Sequence, residues 1–177
     1  VPLISVLLYL ALGNRQGLES AAQVSAQQGA PHQLSKEQIE SMVVRLKQRL
    51  ESTPDDGVGW LTLARTYNAI GRYGEAAAAF AKAEAKFPQD AQLLADYADT
   101  LAMTQGQRLE GRPEILIQRA LKADANNLKA LALAGTVEFE KRDFGKAIEY
   151  WRQILPLLSA DSEMGNSVRA SIQEAQD

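Results

Sequence analysis

Residues 57–88 read GVGWLTLARTYNAIGRYGEAAAAFAKAEAKFP, and this stretch decides the fold. Trp60, Leu63, Ala64 and Tyr67 recur at the three- and four-residue spacing of one helix face. After Gly71-Arg72-Tyr73, Ala76, Phe80 and Ala83 mark the face of a second helix, and Pro88 ends it. Small residues at Ala64, Ala76 and Ala83 let two helices approach closely. The rings of Trp60, Tyr67 and Phe80 fill the space between successive layers.

These are the slots of the tetratricopeptide repeat (TPR), a helix-turn-helix unit of 34 residues. The unit recurs downstream with more variation. From Ala91, Leu94, Tyr97, Ala98 and Leu101 fall in first-helix slots. Its second helix stays in phase only if the turn, within Gln105–Arg112, holds three extra residues; Pro113, Ile117, Ala120 and Ala125 then take the Ala, Phe, Ala and Pro slots. Pro113 is tolerated in the first turn of that helix, where the N–H it lacks has no partner. A third unit gives Leu131, Ala134, Gly135 and Glu138, a turn at Arg142–Gly145, then Ala147, Trp151 and Ile154. The predicted fold is all-α, with TPR hairpins stacked in a right-handed superhelix and repeats at about 57–90, 91–127 and 128–161. Each unit leaves an apolar face that only a neighbour covers, so the ends need caps.

A helix at 35–53 would cap one end. Ser35 followed by Gln38 makes a capping box, Ile39, Met42, Val43, Leu46 and Leu50 form its stripe, and Pro54 and Gly57 close it. A helix at 162–176, with Met164, Val168 and Ile172 on one side, would cap the other.

Before residue 35 the character changes. Residues 1–13, VPLISVLLYLALG, are apolar and uncharged. They are too few to span a bilayer, which takes about 20 residues, and read as the tail end of a transmembrane helix with Tyr9 at the headgroups. The alternative is a buried apolar segment of the domain. Residues 14–34, rich in Gln, Ser, Ala and Gly, read as a flexible linker, which argues for the anchor.

Composition narrows the function. The formal charge is −3, and basic residues are spread singly along the helices, so no nucleic-acid or acidic-membrane surface is expected. The chain has no cysteine, which excludes disulfides, thiolate metal sites and covalent haem attachment to the chain itself. The sole histidine, His32, sits in the linker with no second ligand near it in sequence. Met42, Met103 and Met164 read as core or groove filler, and Asp55-Asp56 as helix capping. Gly71–Gly74 is a repeat turn, not a phosphate loop. No cofactor, metal site or catalytic group is expected.

What remains is the concave surface made by the first helices. Its slots hold Val58, Leu61, Arg65, Asn68 and Ala69 in the first unit, and Gln92, Ala95, Asp99, Ala102 and Met103 in the second. The third contributes Lys129, Ala132, Thr136, Phe139 and Glu140. The candidate peptide-binding residues are Leu61, Arg65, Asn68, Gln92, Asp99, Met103, Lys129, Thr136 and Phe139. Apolar groups with a few polar ones suit an amphipathic helix laid in a groove, and Arg65 with Asn68 could hold a terminal carboxylate. Against this stands the plainer reading of any one of these residues as part of a solvated inner face.

Several segments go beyond a generic repeat. LESTPDDGVGWLTLARTY (50–67), LADYADTL (94–101), QRALKAD (118–124), KALALAG (129–135) and DFGKAIEYWRQILP (143–156) resemble the TPR proteins of cytochrome c maturation of the CcmI/CycH type. The expanded second turn and YLALGN (9–14), like the exit of a membrane helix, are similar too; Ala125 departs from the usual Pro. The resemblance implies an inner-membrane protein with a periplasmic TPR domain. That domain would bind the C-terminal helix of apocytochrome c and present it to the other haem ligation subunits. NrfG, which serves haem attachment to a nitrite reductase, is also similar. A scaffold for another envelope complex, or a cytosolic co-chaperone for acidic tails, are the remaining alternatives.

Overall fold

The computed structural model describes residues 35–159 and 161–176. The expected membrane-helix tail (1–13) and the linker (14–34), including His32, lie outside the described residues. Among the described residues there are eight α-helices: α1 (Lys36–Ser52), α2 (Gly57–Ala69), α3 (Tyr73–Lys86), α4 (Ala91–Thr104), α5 (Arg112–Ala123), α6 (Leu128–Glu140), α7 (Phe144–Ile154) and α8 (Glu163–Gln176), with a short 3-10 turn at Leu155–Leu157. There is no strand among the described residues. The fold is the all-α TPR superhelix that the sequence predicts. α2 pairs with α3, α4 with α5 and α6 with α7; α3 packs on α4, α5 on α6, and α4 also meets α6 directly.

Local chemistry explains each start and stop. Ser35 Oγ accepts the Gln38 N–H at 3.3 Å while the Ser35 N–H donates to Gln38 Oε1 at 2.7 Å, the reciprocal box that opens α1. Asp56, Asp90, Asn127 and Asp143 cap α2, α4, α6 and α7 with side-chain oxygens that accept first-turn N–H groups. Gly71, at φ 77°, supplies the left-handed residue that turns the chain from α2 to α3.

The core runs unbroken from Val43 and Leu50 of α1 to Val137 of α6, and a second cluster joins Trp151, Ile154, Val168 and Ile172. Phe80 stacks on Tyr97 with centroids 5.8 Å apart, locking the first unit to the second. Trp60 is buried with its Nε1 donating to the Pro54 carbonyl at 3.0 Å.

Two expectations change, and the expanded second turn gains a role. Met42 is 57% exposed and fills neither core nor groove. Among the described residues α1 packs chiefly on α2 and buries a narrower stripe than its sequence offers. The α6–α7 turn ends one residue into the predicted Arg142–Gly145 segment: Asp143 is already the cap, Arg142 takes a left-handed φ of 63°, and Phe144 and Gly145 belong to α7. The expanded turn before α5 is not simply surplus chain. Gly106, Gln107 and Gly111 all have positive φ, Gln105 Nε2 donates to the carbonyls of Arg108 and Glu110, and Leu109 is driven into the core.

Candidate peptide-binding groove

α2, α4 and α6 carry the nine residues that the sequence singles out. Leu61, Met103, Thr136 and Phe139 are half-buried. Thr136 turns its Oγ inward and donates to the Ala132 carbonyl at 3.1 Å. Phe139 meets Phe144 edge-on at 5.2 Å and leans on Trp151 at 5.8 Å, so an aromatic cluster with a 42% exposed outer member, Phe144, stands at the end of α6. Of the other concave slots, Val58 lies open to solvent, whereas Ala95, Ala102 and Ala132 are buried.

Three of the polar candidates converge on Asp96, which is not one of them. Arg65 Nε and Nη2 donate to Asp96 Oδ2 at 3.3 and 3.1 Å. Lys129 Nζ donates to Asp96 Oδ1 at 3.0 Å and pairs with Asp99 Oδ2 at 2.8 Å. Gln92 donates to the same Asp96 oxygen at 2.9 Å and accepts from Asn127 Nδ2 at 3.1 Å. Thr100 Oγ1 donates to Asn68 Oδ1 at 3.2 Å. Lys129 is only 8% exposed and Asp99 6%, and every buried side-chain polar atom among the described residues has a hydrogen-bond partner. Burial works against the Lys129 charge, but Asp96 and Asp99 outweigh it and hold the ammonium above the usual lysine range.

Asp96 is therefore the hub of three helices, and slot-based reading missed it. A signal was present. Asp96 interrupts a run from Leu93 to Ala98 that is otherwise apolar or aromatic, and a carboxylate in such company needs partners. Asn127 was missed too; it joins the cap of α6 to the same network.

Residues 14–165 match the family described as the cytochrome c-type biogenesis protein H TPR domain. The chain belongs to that family. Along its whole length, this cytochrome c biogenesis TPR protein is 29% identical to the biogenesis protein CycH of Pseudomonas aeruginosa, of which it spans 42%. It is 26% identical to CcmH of Escherichia coli K12 over 94% of the chain, spanning 50% of that protein. NrfG, a subunit of the formate-dependent nitrite reductase complex of Escherichia coli O157:H7, is 25% identical over 78% of this chain and 70% of its own. The chain thus spans half or less of the CycH and CcmH proteins. Among solved structures the MamA protein shares the fold, with TM-score 0.66 at 18% identity over 80% of this chain and 79% of that one. So does the first TPR of Spaghetti (RPAP3), bound to an HSP90 peptide, with TM-score 0.58 over 68% and 96%. Among the described residues of this CcmH/CycH-type domain, no helix is long and apolar enough to cross a membrane.

Proposed function

We propose that this domain is a periplasmic holder in cytochrome c maturation. It binds the C-terminal helix of apocytochrome c in the concave groove and presents it to the other haem ligation subunits. The observation that carries the reading is the family match over residues 14–165. The groove supports it. Leu61, Met103 and Phe139 offer apolar area spaced along α2, α4 and α6, which suits the apolar face of an amphipathic helix. Arg65, with a side chain 36% exposed, is held by Asp96 through Nε and Nη2 and keeps Nη1 for a backbone carbonyl of the guest. Asn68, Gln92, Asp99, Lys129 and Thr136 shape the surface that the guest meets.

Residues 1–13 would anchor the domain in the inner membrane and 14–34 would tether it. The role is that of a non-catalytic adaptor, as is typical of the family and fold, with no cofactor of its own. The similarity to NrfG favours one second reading, a factor for haem attachment to a nitrite reductase.

Fluorescence anisotropy with a labelled apocytochrome c C-terminal peptide tests the proposal. Binding should exceed that of an unrelated tail peptide of equal length, and Arg65→Ala with Phe139→Ala should weaken it. Equal binding of both peptides, or no effect of the double variant, would overturn it. A C-terminal peptide of the nitrite reductase as competitor separates the second reading from the first.

A further inference from the structure

α2 and α4 carry three charged side chains, Arg65, Asp96 and Asp99, and the N-terminal half of α6 carries one, Lys129. All four are paired with one another. Two cations face two carboxylates, so this cluster has no surplus charge; Glu140, the other charged concave residue, stands at the far end of α6 and brings no cation. Gln92 is a third residue donating to Asp96, and Asn127 fixes Gln92 in turn.

We propose that Asp96 is the specificity-determining residue of the groove: by holding Arg65 and Lys129 it leaves the floor no surplus cation, so that the groove takes a helix with an uncharged polar face and rejects an acidic tail. This deepens the peptide-holding reading above and rests on it.

The physical reason is competition for the same donors. An acidic tail gains affinity only from cations that are free to meet it. Here Arg65 spends two donors on Asp96, and Lys129, with a side chain 10% exposed, lies between two carboxylates. A guest carboxylate reaching Arg65 would meet Asp96 beside it, a like charge that repels it. A guest with Ser or Gln on its polar face meets no such opposition.

Two synthetic helical peptides with one apolar face test this, one with Ser and Gln on the polar face and the other with Asp and Glu. Each is titrated calorimetrically into the whole chain at low salt and at about 0.15 M salt. The wild-type protein should prefer the uncharged peptide by about tenfold or more at both salts. Asp96→Asn keeps the shape and leaves one cation in surplus. It should raise affinity for the acidic peptide about tenfold at low salt, lose that gain at higher salt, and change the uncharged peptide less than about twofold. Arg65→Gln leaves a carboxylate in surplus and should move the ratio of the two affinities the opposite way.

An unchanged ratio in folded Asp96→Asn, or ratios that move the same way in both variants, overturns the proposal. Should circular dichroism show Asp96→Asn unfolded, the wild-type and Arg65→Gln titrations decide: equal wild-type affinity for both peptides overturns it. A wild-type protein that binds neither peptide removes the groove reading itself.

Discussion

Gly135 on α6 lies so close to the indole of Trp151 on α7 that a Cβ at residue 135 would stand 2.1 Å from Nε1 and 2.3 Å from Cδ1. Trp151 is buried, with its Nε1 donating to the Ala132 carbonyl at 3.3 Å. The α6–α7 hairpin is therefore closed by a glycine and a tryptophan that fit only as a pair. Gly135→Ala must splay the two helices, at a cost of about 1–3 kcal/mol or more. Urea denaturation reads the loss. Adding Trp151→Ala removes the clashing ring, so the double variant should lose less than the sum of the two single ones.

Lys129→Met should cost about 3–5 kcal/mol at neutral pH, because it strands Asp99 in a site 6% exposed. Asp99→Asn in the same chain should restore part of that loss. If the double variant is as unstable as the sum of the singles, the pair is not coupled.

The same lysine predicts the alkaline limb of wild-type stability. Its folded pKa is raised above the ordinary 10.5, so its contribution is complete below that value and lost as pH rises through the folded value. Wild-type minus Lys129→Met stability should stay flat from pH 7 to about 10 in thermal unfolding. A fall within that range would contradict the pairing.

Glu140 behaves in the opposite sense. Burial, with Glu110 nearby, pushes its carboxyl up from the usual 4.5, while the Leu109 N–H and Arg108 pull it down less strongly. A raised acid stabilises most below its unfolded value and loses that contribution as pH rises through its folded value. Glu140→Gln keeps an acceptor for Leu109 and removes the charge. Its stability relative to wild type should improve between pH 4 and pH 7, measured by denaturant melts at both; a relative decline would refute the assignment.

Ala76 is fully buried at the crossing of α2 and α3. Ala76→Leu should overpack it by about 1–3 kcal/mol, read as a lower urea midpoint with unchanged slope.

The repeat architecture and its punctuation were legible in the sequence because they are local. Ser35 and Gln38, Gly71, and Pro113 act within a turn or two of themselves, and the small and aromatic slots recur at fixed spacing. Leu109 escaped because the sequence shows that a turn is longer, not which of its side chains folds back.

The candidate groove divides in the same way. The spacing put Leu61, Arg65, Met103, Lys129 and Phe139 on the first helix of each repeat, and α2, α4 and α6 carry them. What spacing could not state is who meets whom. Arg65 and Asp96 are 31 residues apart, Asp96 and Lys129 33. Their contact depends on how far each hairpin rotates on the one before it, a rotation set by the packing of whole layers. The sequence alone thus determined the units, their caps and their order, since each rests on interactions within one helix or turn. Only the tertiary structure decided that the groove's charges are satisfied among themselves, because a charge chooses its partner across the space between helices, not along the chain.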